Sequence, residues 1–389
     1  MTARKQVPKP NHESVKATRH ATLADVARLA GVVAMTASRA LNQSGYVSES
    51  VRERVLKAAA ELEYRPNMVA RQLRSQRLSA IGILLPDIAN PFSAELVNGA
   101  KQVFDESGYS TFIALSSRSV EQETASLRAF VDHRVDGLMI ATRGTKMGDE
   151  VLRNLVRQGI PTVTIGRPVK IPGMDSITAD HWQGAFDVVS HLISLGHSRI
   201  GFIGISYADR LTLRRYQGYA AALEQARIPI TPSYTVGPPE APAFASQEDG
   251  FEGMMRLANL KRPPTAVFAR NDFAAIGALR AAQKLGLRVP EDIAVAGFDN
   301  IPLAAFTPVA LTTVEQPIAQ QGAAAAKLLL DRIEKRYEGK SRRLCLPCQL
   351  IVRESTTSHG QSTTHSAPEG AATYRNLSKK QERQTFQRD

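Results

Sequence analysis

The chain has 389 residues, more than one domain usually holds, so two or three domains are expected. It contains only two cysteines, no apolar run near the roughly 20 residues of a membrane span, and no secretory signal at its N-terminus. These features exclude a disulfide framework and predict a cytoplasmic protein. The net charge of +12 lies mostly in residues 1–79, where fourteen Lys and Arg oppose six Asp and Glu, so this part is expected to bind a polyanion.

Two short helices joined by a tight turn are predicted near the N-terminus. Thr22 is expected to cap the first helix, Asp25 completes a capping box, and Gly31 lies where that helix must stop. The second helix presents outward-facing polar side chains at Thr36, Ser38, Arg39 and Asn42. This is the helix-turn-helix pattern, in which the second helix lies in the major groove of DNA.

A third helix is predicted to complete this small head. Ser48 is expected to cap it, and its buried stripe is Val51, Val55, Ala58 or Ala59, and Leu62. Pro66 ends the head, because the residue before a proline avoids helical geometry. The segment that follows is predicted either to form a short helix that orders only against a second copy and DNA, or to be a plain linker.

The rest of the chain alternates apolar runs with helical patterns. Strands are predicted at 80–86, 109–115, 137–141, 162–165, 176–179, 199–203, 265–268 and 293–296. Helices are predicted at 92–107, 120–133, 147–158, 181–195, 213–226, 244–257 and 272–285. This order indicates an α/β fold with parallel sheets in two lobes, whose ligand binds beyond the carboxyl ends of the strands.

The predicted divisions follow from these patterns. They are a disordered basic arm (1–21), a helix-turn-helix domain (22–66), a hinge segment (67–79), a two-lobed effector-binding and dimerisation domain (80–355) and a disordered tail (356–389).

A series of motifs in one order resembles the LacI/GalR family of transcriptional regulators over residues 22 to about 355. The motifs are TLADVARLAG, MTASRALN, YVSESVRERVLKAAAELEYRPN, VARQL, IGILLPD followed by NPF, HLISLGHSRIGFIG, RRYQGY, ARNDFAAIGAL, GLRVPEDIAVAGFDN and LTTVEQP. The resemblance implies a dimeric or tetrameric repressor on a pseudo-palindromic operator, with periplasmic-binding-protein-like lobes. It also places the crossings between lobes near Thr178, Pro308 and Lys340.

The resemblance also assigns the DNA contacts. Ala34 and Met35 fall at base-reading positions; they can contact a thymine methyl group, which leaves Arg39 as the best guanine reader. Leu73 matches a leucine that is wedged into the minor groove and bends the DNA. The full implied set is Thr22, Ala34, Met35, Thr36, Ser38, Arg39, Asn42, Tyr46, Asn67 and Leu73.

Two residues depart from the family pattern. Val33 replaces a serine that would cap the second helix, and losing such a cap costs about 0.5–2 kcal/mol. Ala37 replaces a core valine, at a further cost of about 1–3 kcal/mol. Both changes are expected to weaken the helix that reads DNA.

Strand-end loops and family positions predict the effector site. Arg215 matches an arginine that meets sugar oxygens, and Asp272 matches an aspartate that accepts from sugar hydroxyls, although Asp272 can also be a helix N-cap. Phe92 and Trp182 are candidates to stack on a sugar face, but packing explains Trp182 equally well. The full predicted set is Asp87, Asn90, Phe92, Arg143, Arg167, Trp182, Arg215, Asn271, Asp272 and Asp299.

The chemistry of this set favours a sugar acid over a neutral sugar. Three arginines, at 143, 167 and 215, suit an anionic ligand, unless one or two are solvated rim charges. Met35 and Thr36 also resemble the gluconate-responsive branch of the family. Cys345 and Cys348 lack further metal ligands nearby, and no phosphate loop or nucleophile motif occurs, so no metal, no cofactor and no enzyme activity are predicted.

Two other classes share such lobes. A sugar kinase would lack the helix-turn-helix and need a phosphate loop, and a secreted solute-binding protein would need a signal peptide. The alternative kept open is a sugar-binding protein of the same lobed fold that does not bind DNA.

Overall fold

The computed structural model describes residues 21–42, 44–64, 79–116, 119–141, 146–166, 169–206, 210–237 and 246–357. The chain divides into two compact units, Met1–Leu78 and Ser79–Asp389. Within the described residues, none of the helices is long and apolar enough to cross a membrane. Almost all of the predicted basic arm, of the hinge segment and of the tail lies outside the described residues.

Three helices form the head: α1 Leu23–Ala30, α2 Ala34–Leu41 and α3 Glu49–Glu61. The Thr22 hydroxyl accepts from the backbone N–H of Asp25, and the Asp25 carboxylate accepts from the backbone N–H of Thr22. This confirms the predicted capping box, which satisfies two N–H groups that a helix start leaves without partners. Gly31 ends α1 with φ of 66°, the left-handed conformation that favours glycine.

Small side chains make the core of the head. The buried residues are Val26, Ala27, Ala30, Ala37, Ala40, Val55, Ala58 and Ala59. Val51 and Leu62 pack against them, which confirms the predicted stripe of α3. Ser48 does occupy the N-cap position of α3, but its hydroxyl makes no capping bond and lies 3.5 Å from the hydroxyl of Ser50, so the predicted side-chain cap is wrong.

The larger unit alternates strands and helices, as predicted. Its strands are β1 Ala80–Leu85, β2 Ser110–Leu115, β3 Gly137–Ile140, β4 Thr162–Ile165, β5 Asp175–Ala179, β6 Ile200–Ile203, β7 Thr235–Val236, β8 Ala266–Ala269, β9 Ala294–Ala296, β10 Thr313–Glu315, β11 Arg343–Leu346 and β12 Gln349–Ile351. Its helices are α4 Pro91–Glu106, α5 Val120–Asp132, α6 Lys146–Arg157, α7 His181–Ser194, α8 Arg210–Gln225, α9 Gln247–Ala258, α10 Asp272–Lys284 and α11 Ile318–Ile333. Every predicted strand and helix of this unit appears within three residues of its predicted bounds. Strands β7, β10, β11 and β12 and helix α11 were not among the predicted ranges.

Two parallel sheets define two lobes. The N-lobe sheet has the order β11-β5-β4-β3-β1-β2, with α4, α5, α6 and α11 packed on it. The C-lobe sheet has the order β7-β6-β8-β9, with α7 to α10 around it, and the antiparallel pair β10–β12 beside α7. The fold is therefore the predicted α/β class with parallel sheets.

The chain passes between the lobes three times. It does so after β5, then between β10 and α11 at Gln316, and finally between β11 and β12 at Pro347. The first crossing confirms the prediction near Thr178. The predictions near Pro308 and Lys340 are wrong, because β10 and β11 continue the chain within its lobe, and strands this short leave no clear periodicity.

Three helix pairs cross so closely that a side chain at the contact would overlap backbone. A Cβ atom at Gly277 of α10 would overlap the carbonyl oxygen of Gln247 on α9. Likewise, a Cβ atom at Gly250 of α9 would overlap the carbonyl oxygen of Ala274 on α10. The pairs α4–α11 and α7–α8 repeat this arrangement at Gly99, Gly322 and Gly218. Glycine therefore sets the spacing of the helices that cover both sheets.

Replacing Gly277 with alanine is expected to lower the free energy of unfolding by about 1–3 kcal/mol, because the overlap is with backbone and no rotamer relieves it. In an unconstrained helix the same change would stabilise by about 1 kcal/mol. Denaturant unfolding measures the difference. Arg280→Ala, on the exposed face of the same helix, is the control and should stay within about 0.5 kcal/mol of the original chain. A Gly277→Ala chain as stable as the original would contradict the packing argument.

Candidate DNA-binding head and effector cleft

The second helix of the head presents the predicted reading surface. Ala34, Arg39 and Asn42 are exposed, and Met35 is 62% exposed. Thr36 and Ser38 are half-buried, and the Asn42 amide donates to the Ser38 carbonyl oxygen over 2.9 Å. Tyr46 is 93% exposed, as a residue at a protein–DNA surface would be in the free protein. The remaining predicted contacts, Asn67 and Leu73, lie outside the described residues.

Both departures in α2 have the expected local consequences. Val33 stands at the N-cap with extended backbone, 69% exposed, and supplies no capping hydrogen bond. The first N–H groups of α2 therefore lack the side-chain acceptor that a serine would provide. Ala37 is fully buried at the centre of the head, where a methyl group is all that fills the position.

A buried arginine organises the strand ends of the C-lobe. Arg215 of α8 donates through Nη2 to Asp299 Oδ1 over 3.0 Å, and through Nη1 to the carbonyl oxygen of Arg270. Its Nε lies 3.3 Å from Nδ1 of His181, and its guanidinium stacks on the Phe298 ring at 3.8 Å from the ring centre. The predicted residues Arg215 and Asp299 thus form one ion pair beyond the carboxyl ends of β8 and β9.

The loop that carries Asp299 has unusual backbone. Asp299 has φ of 119° and Asn300 has φ of 52°, in the region that side chains seldom adopt. Such conformations persist only where surrounding contacts hold them, and they concentrate at functional sites. Here Gln316 supplies one such contact: its Nε2 donates to Asp299 Oδ1 over 2.6 Å.

Asp272 is placed beneath this loop rather than on its surface. Its carboxylate is fully buried and accepts from the Thr313 hydroxyl and from the backbone N–H of Ile301. Burial, reinforced by the negative charge of Asp299, raises the pKa of Asp272 to about 7. The residue that caps α10 is Asn271, whose Oδ1 accepts from the backbone N–H of Ala274, so the alternative of Asp272 as the N-cap is wrong. Contacts from Asp272 and Asn271 to an effector stay predictions.

The N-lobe side of the cleft follows β1. Asp87 accepts from the backbone N–H of Asn90, and the Asn90 side chain caps α4 by accepting from the N–H of Phe92. Phe92 packs partly buried against the N-lobe core. The next residue, Ser93, is a position that the sequence analysis missed: its hydroxyl is buried and has no hydrogen-bond partner within the described residues.

The remaining predicted residues divide in two. Trp182 is half-buried and stacks on Phe186 with ring centres 5.3 Å apart, so packing accounts for it. Arg143 and Arg167 lie outside the described residues. Sequence reasoning also missed Arg270, His181 and Gln316, which surround Arg215 and Asp299 because of chain pairing that no local pattern shows.

A three-helix head with a polar second helix, in one chain with two α/β lobes that carry buried polar side chains at their strand ends, is the arrangement expected of a ligand-regulated transcription factor. Two family descriptions match this chain: bacterial regulatory proteins of the lacI family over residues 22–67, and the periplasmic binding protein-like domain over residues 189–356. The transcriptional repressor CytR of Escherichia coli (strain K12) is 34% identical over 336 residues, which cover 86% of this chain and 96% of CytR.

Solved structures of transcriptional regulators also match this chain over most of its length. The Lac repressor dimer bound to operator and the anti-inducer ONPF matches with a TM-score of 0.77 and 29% identity, over 87% of this chain and 99% of that one. The complex of the regulator CelR with cellobiose matches with a TM-score of 0.66 and 31% identity, over 86% of this chain and 99% of that one.

The chain belongs to the LacI family of bacterial transcriptional regulators. Repressors of this family bind operator DNA and small-molecule effectors as dimers, and the relatives named above are regulators, not enzymes. The match over residues 22–67 argues against the alternative of a sugar-binding protein of the same lobed fold that does not bind DNA.

Restoring serine at position 33 is expected to tighten DNA binding, because the backbone at Val33 already has the extended geometry of an N-cap. A serine cap is expected to stabilise α2 by about 0.5–2 kcal/mol. Because DNA binds the ordered head, this stabilisation raises DNA affinity by the fraction that is otherwise spent on ordering the head. A titration at one fixed salt concentration compares the original chain, Val33→Ser and Val33→Ala. The alanine form removes the exposed side chain without adding a cap, so it should not bind more tightly; a serine form no better than the alanine form would contradict the argument.

Asp272 is expected to make stability fall as pH rises. A carboxyl group with its folded pKa near 7 binds more protons than in the unfolded chain, where the pKa is about 3.9, so its contribution is complete below pH 4 and lost towards pH 7. Asparagine keeps an acceptor for Ile301 but cannot titrate. The unfolding free energy of the original chain minus that of Asp272→Asn should therefore decrease between pH 4 and 7 and then level off. An increase with pH over that range would show that the carboxyl group is stabilised as the anion.

Proposed function

We propose that this protein is a repressor that binds a pseudo-palindromic operator as a dimer and whose operator affinity is set by a sugar acid bound in the cleft. The observation that carries the effector assignment is the buried Arg215–Asp299 ion pair at the strand ends of the C-lobe. A guanidinium presents a planar fork that binds a carboxylate with two parallel hydrogen bonds. Asp299 accepts only from Nη2 of Arg215, and Nη1 donates to the carbonyl oxygen of Arg270, so a ligand carboxylate would replace both of these partners.

Other features support a polyhydroxylated ligand. The buried Ser93 hydroxyl, which has no hydrogen-bond partner within the described residues, supplies a neutral hydrogen-bonding group near the strand ends of the N-lobe. The structural neighbour CelR was solved with cellobiose. The resemblance of Met35 and Thr36 to the gluconate-responsive branch favours an acid among such ligands. Leu73 is proposed to bend the centre of the operator, on the strength of the family position alone.

The operator side of the proposal rests on the head. The exposed face of α2 combines small apolar groups at Ala34 and Met35 with the cation of Arg39, which suits thymine methyl and guanine contacts in the major groove. We infer that the operator is two-fold symmetric, because a dimer presents two identical heads. Selection from random DNA provides that site for every binding assay described below.

The effector assignment is tested with D-gluconate as probe and D-glucose as its neutral counterpart. Gluconate should raise the melting temperature of the protein and change its affinity for the selected operator at least fivefold, because a ligand shifts an equilibrium only by its differential affinity for two states. Glucose should do neither at the same concentration. Equal effects of both would remove the carboxylate from the proposal.

Two variants at position 215 make the test specific. Arg215→Lys keeps the positive charge but loses the planar fork, and Arg215→Ala loses both. Both should abolish the gluconate response and retain operator binding. A full response in Arg215→Lys would show that charge alone is sufficient.

A further inference from the structure

The second crossing between the lobes touches the proposed effector site directly. We propose that Gln316, the residue at this crossing, is the positioning residue that couples the Arg215–Asp299 pair to the arrangement of the two lobes. The inference deepens the proposed function, since it concerns regulation through the same site. It rests on three observations. The loop of Asp299 is hydrogen-bonded to the crossing, the crossing is hydrogen-bonded to the N-lobe, and one carboxylate oxygen of Asp299 accepts from both Arg215 and Gln316.

The loop of Asp299 is bonded along the strand that leads to the crossing. The backbone N–H of Asp299 donates to the carbonyl oxygen of Val314 over 2.8 Å. The Asn300 side chain donates to the Glu315 carboxylate over 3.2 Å, and the Gln316 amide donates to Asp299 Oδ1 over 2.6 Å. Gln316 is 5% exposed, so its bond to the carboxylate is shielded from water and correspondingly strong. A displacement of the loop is therefore passed on to the crossing.

The crossing is equally well attached to the N-lobe. The carbonyl oxygen of Gln316 accepts from the backbone N–H of Ile318, the first residue of α11, over 2.8 Å. The carboxylate of Glu95 on α4 accepts from the backbone N–H of Ala319. Helix α11 then runs through the core of the N-lobe, where Ala325 and Leu329 are buried. Gln316 thus moves with the start of α11.

One oxygen atom joins the two sides. Asp299 Oδ1 accepts both from Arg215, on α8 of the C-lobe, and from Gln316, at the crossing. A ligand carboxylate that engages the Arg215 fork draws this guanidinium away from Asp299. The charge of Asp299 is then left to Gln316, and the strained backbone at Asp299 loses one of the contacts that hold it. Ligand binding in the C-lobe thereby changes the bond that fixes the start of α11.

The coupling can be measured without an effector. Hydrogen exchange of the full-length protein is followed at the amides of Ile318 and Gln321, which begin α11 and donate to Gln316 and Pro317. Arg215→Ala removes the donor on the other side of Asp299 and should accelerate this exchange about fivefold. Arg215→Lys should accelerate it somewhat less. Gln316→Ala should accelerate it by a similar factor. The double variant Arg215→Ala with Gln316→Ala should exchange no faster than Gln316→Ala alone, because the bond that transmits the change is already absent.

The control variant also lies in α11, and the same exchange measurement gives the outcomes that would contradict the proposal. Gln320→Ala, an exposed position one turn from the crossing, should leave the exchange unchanged and should leave the effect of Arg215→Ala intact. Multiplicative effects of the two substitutions, or no effect of either Arg215 variant at α11, would overturn the coupling role, because the free-energy effects of two residues that do not interact simply add. Thermal unfolding of each variant confirms that it is folded.

A second arm separates this inference from the proposed function. On the operator selected from random DNA, Gln316→Ala should abolish the change in affinity caused by D-gluconate while leaving gluconate binding within about threefold. Loss of gluconate binding itself would make Gln316 a ligand contact and overturn the coupling role. If the original chain binds no gluconate, the proposed effector fails, and the exchange experiment still decides whether Gln316 couples the two lobes.

Discussion

The buried carboxylate of Asp272 determines how three segments of the C-lobe meet. Asp272 is the first residue of α10. Its carboxylate accepts from the backbone N–H of Ile301, in the loop after β9, and from the hydroxyl of Thr313 in β10. Gly297 is required beside it, since a Cβ there would overlap the carboxylate. Burying an acid is costly unless its oxygens are satisfied or it takes up a proton, and here both compensations operate. The position of Asp299, and so of its pair with Arg215, depends on this arrangement.

The loop of Asp299 is bonded both to α8 of the C-lobe and to the crossing that leads to the N-lobe. Asp299 is held in a conformation that an isolated chain would avoid, by donors from opposite sides. Two donors that share one oxygen cannot be changed independently, which is a simple physical basis for communication between a ligand site and a crossing. The close helix contacts at glycine are expected to make each lobe resist deformation, so a movement of one lobe relative to the other is expected at the crossings.

The head has a small apolar core. Its core is built mainly from alanine and valine, and its second helix begins without a side-chain cap. A small domain with so little apolar volume has little stability in reserve. DNA binds only the folded head and therefore stabilises it, so the missing cap at Val33 is expected to affect operator affinity more than the fold.

The patterns of the sequence determined the class of fold, the position of most strands and helices, and the helix-turn-helix with its capping box. These features depend on periodicity and on local hydrogen bonds between residues close in the chain. Leu73, Arg143 and Arg167 stay predictions, since they lie outside the described residues. Tertiary structure alone decided that Asp272 is buried, that Asn271 caps α10, that Trp182 packs on Phe186 and that Gln316 meets Asp299. It also moved two of the three crossings, because strands of three or four residues are specified by their partners across the sheet and not by their own sequence.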